Sequence, residues 1–138
     1  GEADNHGLAY IGAVESGLPI RIERLDDVIG SGTVGLMKMD VEGHEPAVLA
    51  GASSLLARKG IRHLIFEDHT GRESEVLKTL AGYGYRIYAL GWRMRGPVLG
   101  DPFGPSVCQP YEAPSYLATA DTGEVERILN RTGWELFR

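Results

Sequence analysis

The chain contains several short stretches in which apolar residues form alternating or continuous runs, separated by turns rich in glycine. Residues 34–41 form a nearly continuous apolar run, which predicts a strand covered on both faces. Residues 19–25 alternate apolar and polar positions, and this alternation predicts a short strand with one buried face. Further strands are predicted at residues 8–14, 61–67, 85–90 and 115–120.

Between these stretches, apolar residues recur at helical spacing. Pro46 after Glu45 indicates a helix start, because the first helical position needs no amide hydrogen, and the apolar period then continues to Gly60. A helical turn is predicted at residues 26–29 and a second helix at residues 73–82. Asp121 followed by Glu124 resembles a capping box and predicts a last helix over residues 125–131.

The alternation of strands and helices predicts one α/β domain over residues 1–138, with a mostly parallel sheet and flanking helices. No helix is predicted between the last two strands, so we expect them to form an antiparallel pair at one edge of the sheet. Residues 91–114 are rich in glycine and proline and are predicted to form a long loop.

Charge and composition narrow the class of protein. The net charge of −5 at pH 7 argues against nucleic acid or an anionic membrane as a partner. No apolar run approaches the roughly 18–20 residues of a membrane span, and the polar, acidic start of the chain differs from a signal peptide. The single cysteine, Cys108, has no disulfide partner in the chain. These features favour a cytoplasmic protein.

Two polar clusters follow predicted strands. The first contains Asp40, Glu42, His44 and Glu45, and the second contains Glu67, Asp68 and His69. Ligands of open parallel sheets bind beyond the carboxyl ends of the strands, so two neighbouring strands would place Asp40 and Glu67 at one mouth. A carboxylate there can accept a hydroxyl proton, orient a ligand or coordinate a cation. Ordinary solvated charges, or for Glu45 a favourable contact with the helix dipole, would also explain these residues.

Three further residues have a candidate role. Lys38 lies in an otherwise apolar strand, which favours an ion pair with Asp26, Asp27 or a strand-end carboxylate over a catalytic role. His63 is predicted to be a packed, hydrogen-bonded residue within a strand. Trp92 begins the predicted long loop and is a candidate surface for substrate contact. The sequence carries no metal-binding signature.

One run resembles a known family. Residues 36–60, LMKMDVEGHEPAVLAGASSLLARKG, are similar to the hallmark of the FkbM family of S-adenosylmethionine-dependent methyltransferases. That hallmark is an apolar strand, then Lys-x-Asp-x-Glu-Gly-x-Glu, then a helix with Val-Leu-x-Gly. The matching positions are Lys38, Asp40, Glu42, Gly43, Glu45, Val48, Leu49 and Gly51. The segments RIERLDDV, HLIFE and AGYGYRIYAL extend the similarity over residues 19–90.

The resemblance implies the C-terminal part of a Rossmann-like class I methyltransferase fold that transfers a methyl group to a hydroxyl of a sugar or secondary metabolite. It implies Asp40, Glu42 and Glu67 as catalytic residues, and Asp40, Glu42 and Gly43 as cofactor contacts. Contacts to the small hydroxyl acceptor are expected from His44, Glu45, His69 and Trp92. The family's glycine-rich first strand–turn–helix is not found in the sequence, so we expect weak or no binding of S-adenosylmethionine by this chain alone.

Two other functions remain open at this point. The chain could be a non-catalytic α/β binding module that keeps the methyltransferase scaffold, or a metal-assisted hydrolase that uses Asp40, Glu42 and Glu67. The strand at residues 34–41 would be central in a full sheet, and an unpaired edge there predicts a possible homodimer.

Overall fold

A computed structural model describes residues 19–41, 43–93, 96–105, 107 and 114–129. The helices in this part of the chain are α1 (Leu25–Ile29), α2 (Glu45–Ala50), α3 (Ser53–Ala57), α4 (Glu75–Gly82) and α5 (Thr122–Leu129). The strands are β1 (Val34–Met39), β2 (Ile61–Glu67), β3 (Arg86–Arg93), β4 (Gly96–Gly100) and β5 (Ser115–Thr119). A short 3₁₀ turn at Gly71–Glu73 precedes α4. None of the described helices has the length and apolar character that a membrane span requires.

The five strands form one mixed sheet in the order β1-β2-β5-β3-β4. Strands β1 and β2 pair in parallel, whereas β2 with β5, β5 with β3, and β3 with β4 pair antiparallel. The predicted mostly parallel sheet is therefore wrong for the described strands, of which only one pair is parallel. Strand β5, the last in the sequence, lies between β2 and β3. Because it pairs antiparallel with both, neither pairing needs a crossover helix.

The predicted antiparallel pairing of the last two strands is confirmed, but its place in the sheet is wrong. Strands β3 and β5 do pair antiparallel, yet β5 is interior and the edge is formed by β4. Strand β4 lies within residues 91–114, which were predicted to be a loop, and β3 also continues into that segment to Arg93. Gly96, Pro97 and Gly100 are unusual strand residues, but Pro97 on an edge strand costs no interior hydrogen bond.

The main core lies between one face of the sheet and helices α2, α3 and α4. Leu64 and Phe66 of β2 are completely buried there against Leu49, Leu55 and other apolar side chains. Successive side chains of a strand point to opposite faces of the sheet, so the alternate residues of β2 point towards α5. There the His63 side chain contacts Glu124. The two faces of the sheet are thus covered by different helices.

The predicted helix over residues 46–60 is interrupted, and Asp26 shows why. Its carboxylate accepts hydrogen bonds from the amides of Ser54 (3.0 Å) and Leu55 (2.9 Å) and from the Ser53 hydroxyl (3.3 Å). Its own amide donates to Gly51 at 2.9 Å. Asp26 therefore caps a second helix start, and α2 and α3 replace one continuous helix. The backbone hydrogen bond from Ser54 is the largest influence that lowers the pKa of Asp26.

Of the two strands predicted near the start of the sequence, the one at residues 19–25 is not formed, and the other cannot be compared with the described residues. Residues 19–24 have no regular structure, and Ile20 and Ile22 are 62% and 72% exposed, so none of the described strands covers them. The predicted strand at residues 8–14 lies outside the described residues. The predicted turn at residues 26–29 is confirmed by α1, which ends at Ile29 and is followed by Gly30 with a φ of 56°.

Strand β1 is less covered than its apolar sequence predicts. Among the described strands it pairs only with β2, and Leu36 is 58% exposed while Met39 is 2% exposed. The prediction of a strand buried on both faces is therefore wrong. Its edge position leaves the face that carries Leu36 and Lys38 largely open, whereas the face that carries Met39 packs into the core.

Candidate functional site

A cleft of about 550 Å³ opens where β1 and β2 end. The parallel register pairs Met39 with Phe66, so Asp40 and Glu67 each come one residue later on neighbouring strands. Both carboxylates line the cleft. The placement expected from the sequence, with these two acids at one mouth of the sheet, is confirmed, while their chemical roles stay predictions.

The turn after β1 forms one wall of the cleft. Gly43 has a φ of 90°, a conformation that a side chain would strain, and it lines the cleft. The Glu45 carboxylate accepts a hydrogen bond from the Val41 amide at 3.2 Å and so closes the turn. Pro46 follows at the start of α2, as the sequence predicts. Asp40 and Glu45 are thereby held at opposite ends of one short turn.

The segment after β2 forms the opposite wall, and Asp68 organises it. Its carboxylate accepts hydrogen bonds from the amide and hydroxyl of Thr70 and from the Ser74 hydroxyl at 2.5 Å. Ser74 is completely buried and accepts a hydrogen bond from the Leu77 amide, which caps α4. Burial acts to raise the pKa of Asp68, but the hydrogen bonds from Ser74 and Thr70 outweigh it, so the pKa is lowered.

Lys38 contacts Asp40 at the edge of the cleft. Its ammonium lies 2.9 Å from Asp40 Oδ2, which confirms the predicted ion pair with a strand-end carboxylate. The hydrogen bond to Asp40 is the largest cause that raises the pKa of Lys38, and the charge of Glu67 adds to it. The Lys38 side chain is 64% exposed, so the expected cost of burying a lysine does not arise.

The structure brings five of the eight predicted site residues together. The residues that line the cleft are Asp40, Gly43, Glu45, Glu67 and His69. His44 is exposed at the start of α2 and does not line the cleft. Trp92 is 50% exposed in β3, opposite Pro97 of β4, and not in a loop beside the cleft. Glu42 lies outside the described residues.

Sequence reasoning missed the residues that α4 and the turn before it contribute. Thr70, Glu73, Glu75 and Val76 also line the cleft. A signal was present, because Ser74 precedes an apolar helical pattern and so marks a helix start close to the end of β2. The spacing between these elements, set by Asp68, could not be read from the pattern alone.

His63 lies away from the cleft, on the face covered by α5. Its Nδ1 lies 2.9 Å from the Thr119 hydroxyl and its Nε2 lies 3.1 Å from Glu124 Oε2. The side chain is 12% exposed, so the predicted packed and hydrogen-bonded histidine is confirmed. Within the described residues, no group of three or more His, Cys, Asp or Glu side chains has an arrangement suited to a metal ion.

Comparison with known proteins identifies the family. The family model described as the methyltransferase FkbM domain matches residues 3–87, which is more than half of the chain. Searches of curated proteins and of solved structures gave no match. The match includes both strands whose ends form the cleft, and the mixed α/β sheet with flanking helices is compatible with a methyltransferase domain. The chain belongs to the FkbM methyltransferase family.

Proposed function

We propose that this chain is part of an S-adenosylmethionine-dependent O-methyltransferase that acts on a hydroxyl of a sugar or secondary metabolite. One observation carries the proposal: in a chain of this family, Asp40 and Glu67 line the same cleft at the ends of parallel strands. That is the position in which open sheets of this kind bind their ligands.

The described residues fit the reacting part of the cofactor. The cleft volume of about 550 Å³ lies within the usual range for small-molecule sites. S-adenosylmethionine carries an ammonium and a positively charged sulfonium, which carboxylates such as Asp40 and Glu67 would stabilise. Gly43 leaves the wall beside Asp40 without a side chain, so a ligand can approach the backbone there. When bound, the cofactor supplies a methyl group on a sulfur that leaves as a neutral thioether.

The chain's own residues supply proton transfer and orientation. As the acceptor oxygen becomes bonded to the methyl carbon, its hydroxyl proton must go to a base. We assign that role to Asp40, with Glu67 on the neighbouring strand to orient the same hydroxyl. Lys38, 2.9 Å from Asp40, restrains the position of the carboxylate. His69 and Glu45, on opposite walls, are assigned to acceptor contact.

We also propose a place for this sheet in a larger Rossmann-like sheet. Strands β2 and β3 both pair antiparallel with β5, so they run in the same direction, and β1 runs parallel to β2. Three strands of one direction, with β5 inserted between two of them, would correspond to the C-terminal part of the Rossmann-like fold that the family resemblance implies. The open edge of β1 would then meet the strands that carry most of the cofactor contacts.

Calorimetric titration tests the proposal. S-adenosylmethionine is titrated into this chain and into a form joined to any sequence encoded ahead of it, with S-adenosylhomocysteine as a second ligand. We expect saturable binding in the longer form, weak or no binding in the 138-residue chain, and loss of affinity in Gly43→Val, since a β-branched residue is strained at a φ of 90°. The matched control is Gly82→Val, at a helical glycine with open space around it and outside the cleft. Absence of binding in every form would overturn the proposal and favour a non-catalytic binding module on the same scaffold.

A further inference from the structure

We propose that the cleft selects its acceptor by charge: it admits neutral or cationic hydroxyl compounds and rejects phosphorylated or carboxylated ones, with Glu67 and Glu75 as the selecting residues. This inference rests on the proposed function, because it assigns the substrate class of the same site. It follows from the partners that each carboxylate of the cleft has within the described part of the chain.

Six carboxylates line the cleft. They are Asp40, Glu45, Glu67, Asp68, Glu73 and Glu75. Four of them are engaged within the protein. Asp40 pairs with Lys38 and Glu73 pairs with Lys78, each at 2.9 Å.

The other two engaged carboxylates accept neutral donors. Glu45 receives the Val41 amide, and Asp68 receives Thr70 and Ser74. Neutral hydrogen bonds hold these side chains in place but leave their negative charge uncompensated.

Glu67 and Glu75 have no hydrogen-bond donor or ion-pair partner among the described side chains. Glu67 ends β2 and Glu75 lies in the first turn of α4, and both are exposed to the cleft. The ammonium groups of Lys38 and Lys78 contact other carboxylates of the cleft, and Lys38 interacts with Glu67 only through its charge, without an ion-pair contact. Among the described residues, no side chain forms a hydrogen bond or ion pair with either of these two carboxylates, so both are available to accept donors or positive charge from a bound ligand.

The positive end of α4 does not reverse this balance. The N-terminus of a helix attracts anions through its free amides, but here the Ser74 hydroxyl accepts the Leu77 amide and Glu75 itself lies in the first turn. An entering phosphate would meet carboxylates on both walls. An ammonium or a hydroxyl would instead find acceptors on both walls.

The effect is large enough to measure. Two negative charges about 10 Å from a mobile probe, at the dielectric constant of water, change the local concentration ratio of cation to anion by on the order of five-fold at low salt. The same ratio should approach one at high ionic strength, because exposed charges are screened beyond a Debye length.

Paramagnetic relaxation by small nitroxides measures this ratio on the chain itself. Aminomethyl-PROXYL is cationic, carboxy-PROXYL is anionic and carbamoyl-PROXYL is a neutral probe of similar size. We expect the cationic probe to relax the amide protons of Gly43, His69 and Thr70 on the order of five-fold more strongly than the anionic probe, after correction by the neutral probe. A ratio at or below one at these amides would overturn the proposal.

Charge-neutral variants identify the residues responsible. In the double variant that combines Glu67→Gln with Glu75→Gln, we expect the ratio of cationic to anionic relaxation at the cleft amides to fall by at least half. Glu126→Gln together with Asp27→Asn removes the same two charges at exposed positions away from the cleft and should leave the ratio unchanged. If this control pair has the same effect as the double variant in the cleft, the net charge of the chain and not the cleft sets the ratio, and the assignment of Glu67 and Glu75 is wrong.

The outcome is separable from that of the proposed function. A strongly cation-selective cleft in a protein that never binds S-adenosylmethionine would reject the methyltransferase proposal and keep the charge assignment. Cofactor binding together with a relaxation ratio at or below one would keep the methyltransferase proposal and reject the charge assignment. The relaxation measurement needs neither the cofactor nor an identified acceptor.

Discussion

Asp40 lies where two independent features of the sequence meet. The apolar strand β1 delivers it to the mouth of the sheet, and the lysine two positions earlier pairs with its carboxylate at 2.9 Å. A carboxylate held in this way already has a fixed orientation, so it can accept a hydroxyl proton without first being ordered.

We predict that Asp40→Asn lowers the rate of methyl transfer by on the order of a hundred-fold or more, because the amide keeps the shape of the side chain but accepts no proton. Affinity for S-adenosylmethionine should fall by a smaller factor, because Glu67 still faces the positive charge of the cofactor. The measurement is transfer of a labelled methyl group in an active form of the protein, with binding followed by calorimetry. Asp27→Asn, an exposed acid of α1, is the control. Turnover equal to that of the unchanged protein would show that Asp40 is not the base.

Asp68 couples the stability of the cleft wall to pH. Its folded-state pKa is below its ordinary value, so the folded state holds the ionised form more strongly than the unfolded state does. The stabilisation is complete above the ordinary pKa of an aspartate, near pH 4, and is lost as the pH falls through the lowered value.

For this residue we predict that Asp68→Asn destabilises the chain at pH 7 and that the difference from the unchanged chain shrinks below about pH 4. The reason is that acid protonates the Asp68 carboxylate of the unchanged chain and so removes the interaction that the variant lacks at every pH. Urea unfolding followed by circular dichroism at several pH values checks this. A difference that is the same at pH 3 and pH 7 would contradict the assignment, and Asp27→Asn should show little effect at either pH.

At the scale of elements, the strands and helices were predicted where a periodic pattern is uninterrupted. Strand β2 and helix α4 follow such patterns and were found close to the predicted positions. The helix over residues 46–60 failed because Asp26, more than twenty residues earlier, caps a second start through Ser54 and Leu55. A local pattern contains no information about a distant capping side chain.

Helix α5 is tied to the sheet by one acidic side chain. Glu124 Oε2 lies 3.1 Å from both Arg62 and His63, and the hydrogen bond with His63 is the largest cause that lowers the pKa of Glu124. Asp121 caps the helix by accepting the Glu124 amide at 2.9 Å, so half of the predicted capping box is present. The other half is missing because the Glu124 side chain reaches β2.

Loss of this contact should loosen α5 without unfolding the sheet. We predict that Glu124→Gln increases hydrogen exchange of the α5 amides by on the order of five-fold, whereas the amides of β2 keep their protection. Exchange followed by nuclear magnetic resonance distinguishes the two elements. Glu126→Gln removes a charge from the same helix without a described partner, and an equal effect in that variant would show that helix charge is the cause.

At the scale of the whole molecule, the candidate site was predictable to a greater extent than the sheet. Asp40 and Glu67 could be placed together because two successive strands joined by a helical connection were expected to be parallel neighbours. The insertion of β5 between β2 and β3 could not be predicted, since antiparallel pairing places few limits on which strands meet. Trp92 was misplaced for the same reason: it lies in β3, which pairs with the unpredicted β4.

The open edge of β1 determines how the molecule should behave at high concentration. Among the described strands, β1 has one partner, and Leu36 beside this edge is 58% exposed. An edge that has no partner among the described strands and has apolar side chains beside it is a template for another strand, so we expect a second copy of this chain to pair there when no further strand of the fold covers the edge. We predict that the average mass in sedimentation equilibrium rises with concentration and that Leu36→Lys suppresses the rise, because a charge on an edge strand opposes pairing. Val28→Lys, at an equally exposed apolar residue of α1, is the control, since it adds the same charge away from the strand. Suppression by Val28→Lys alone would place self-association elsewhere, and a monomeric mass at every concentration would show that the edge is protected in solution.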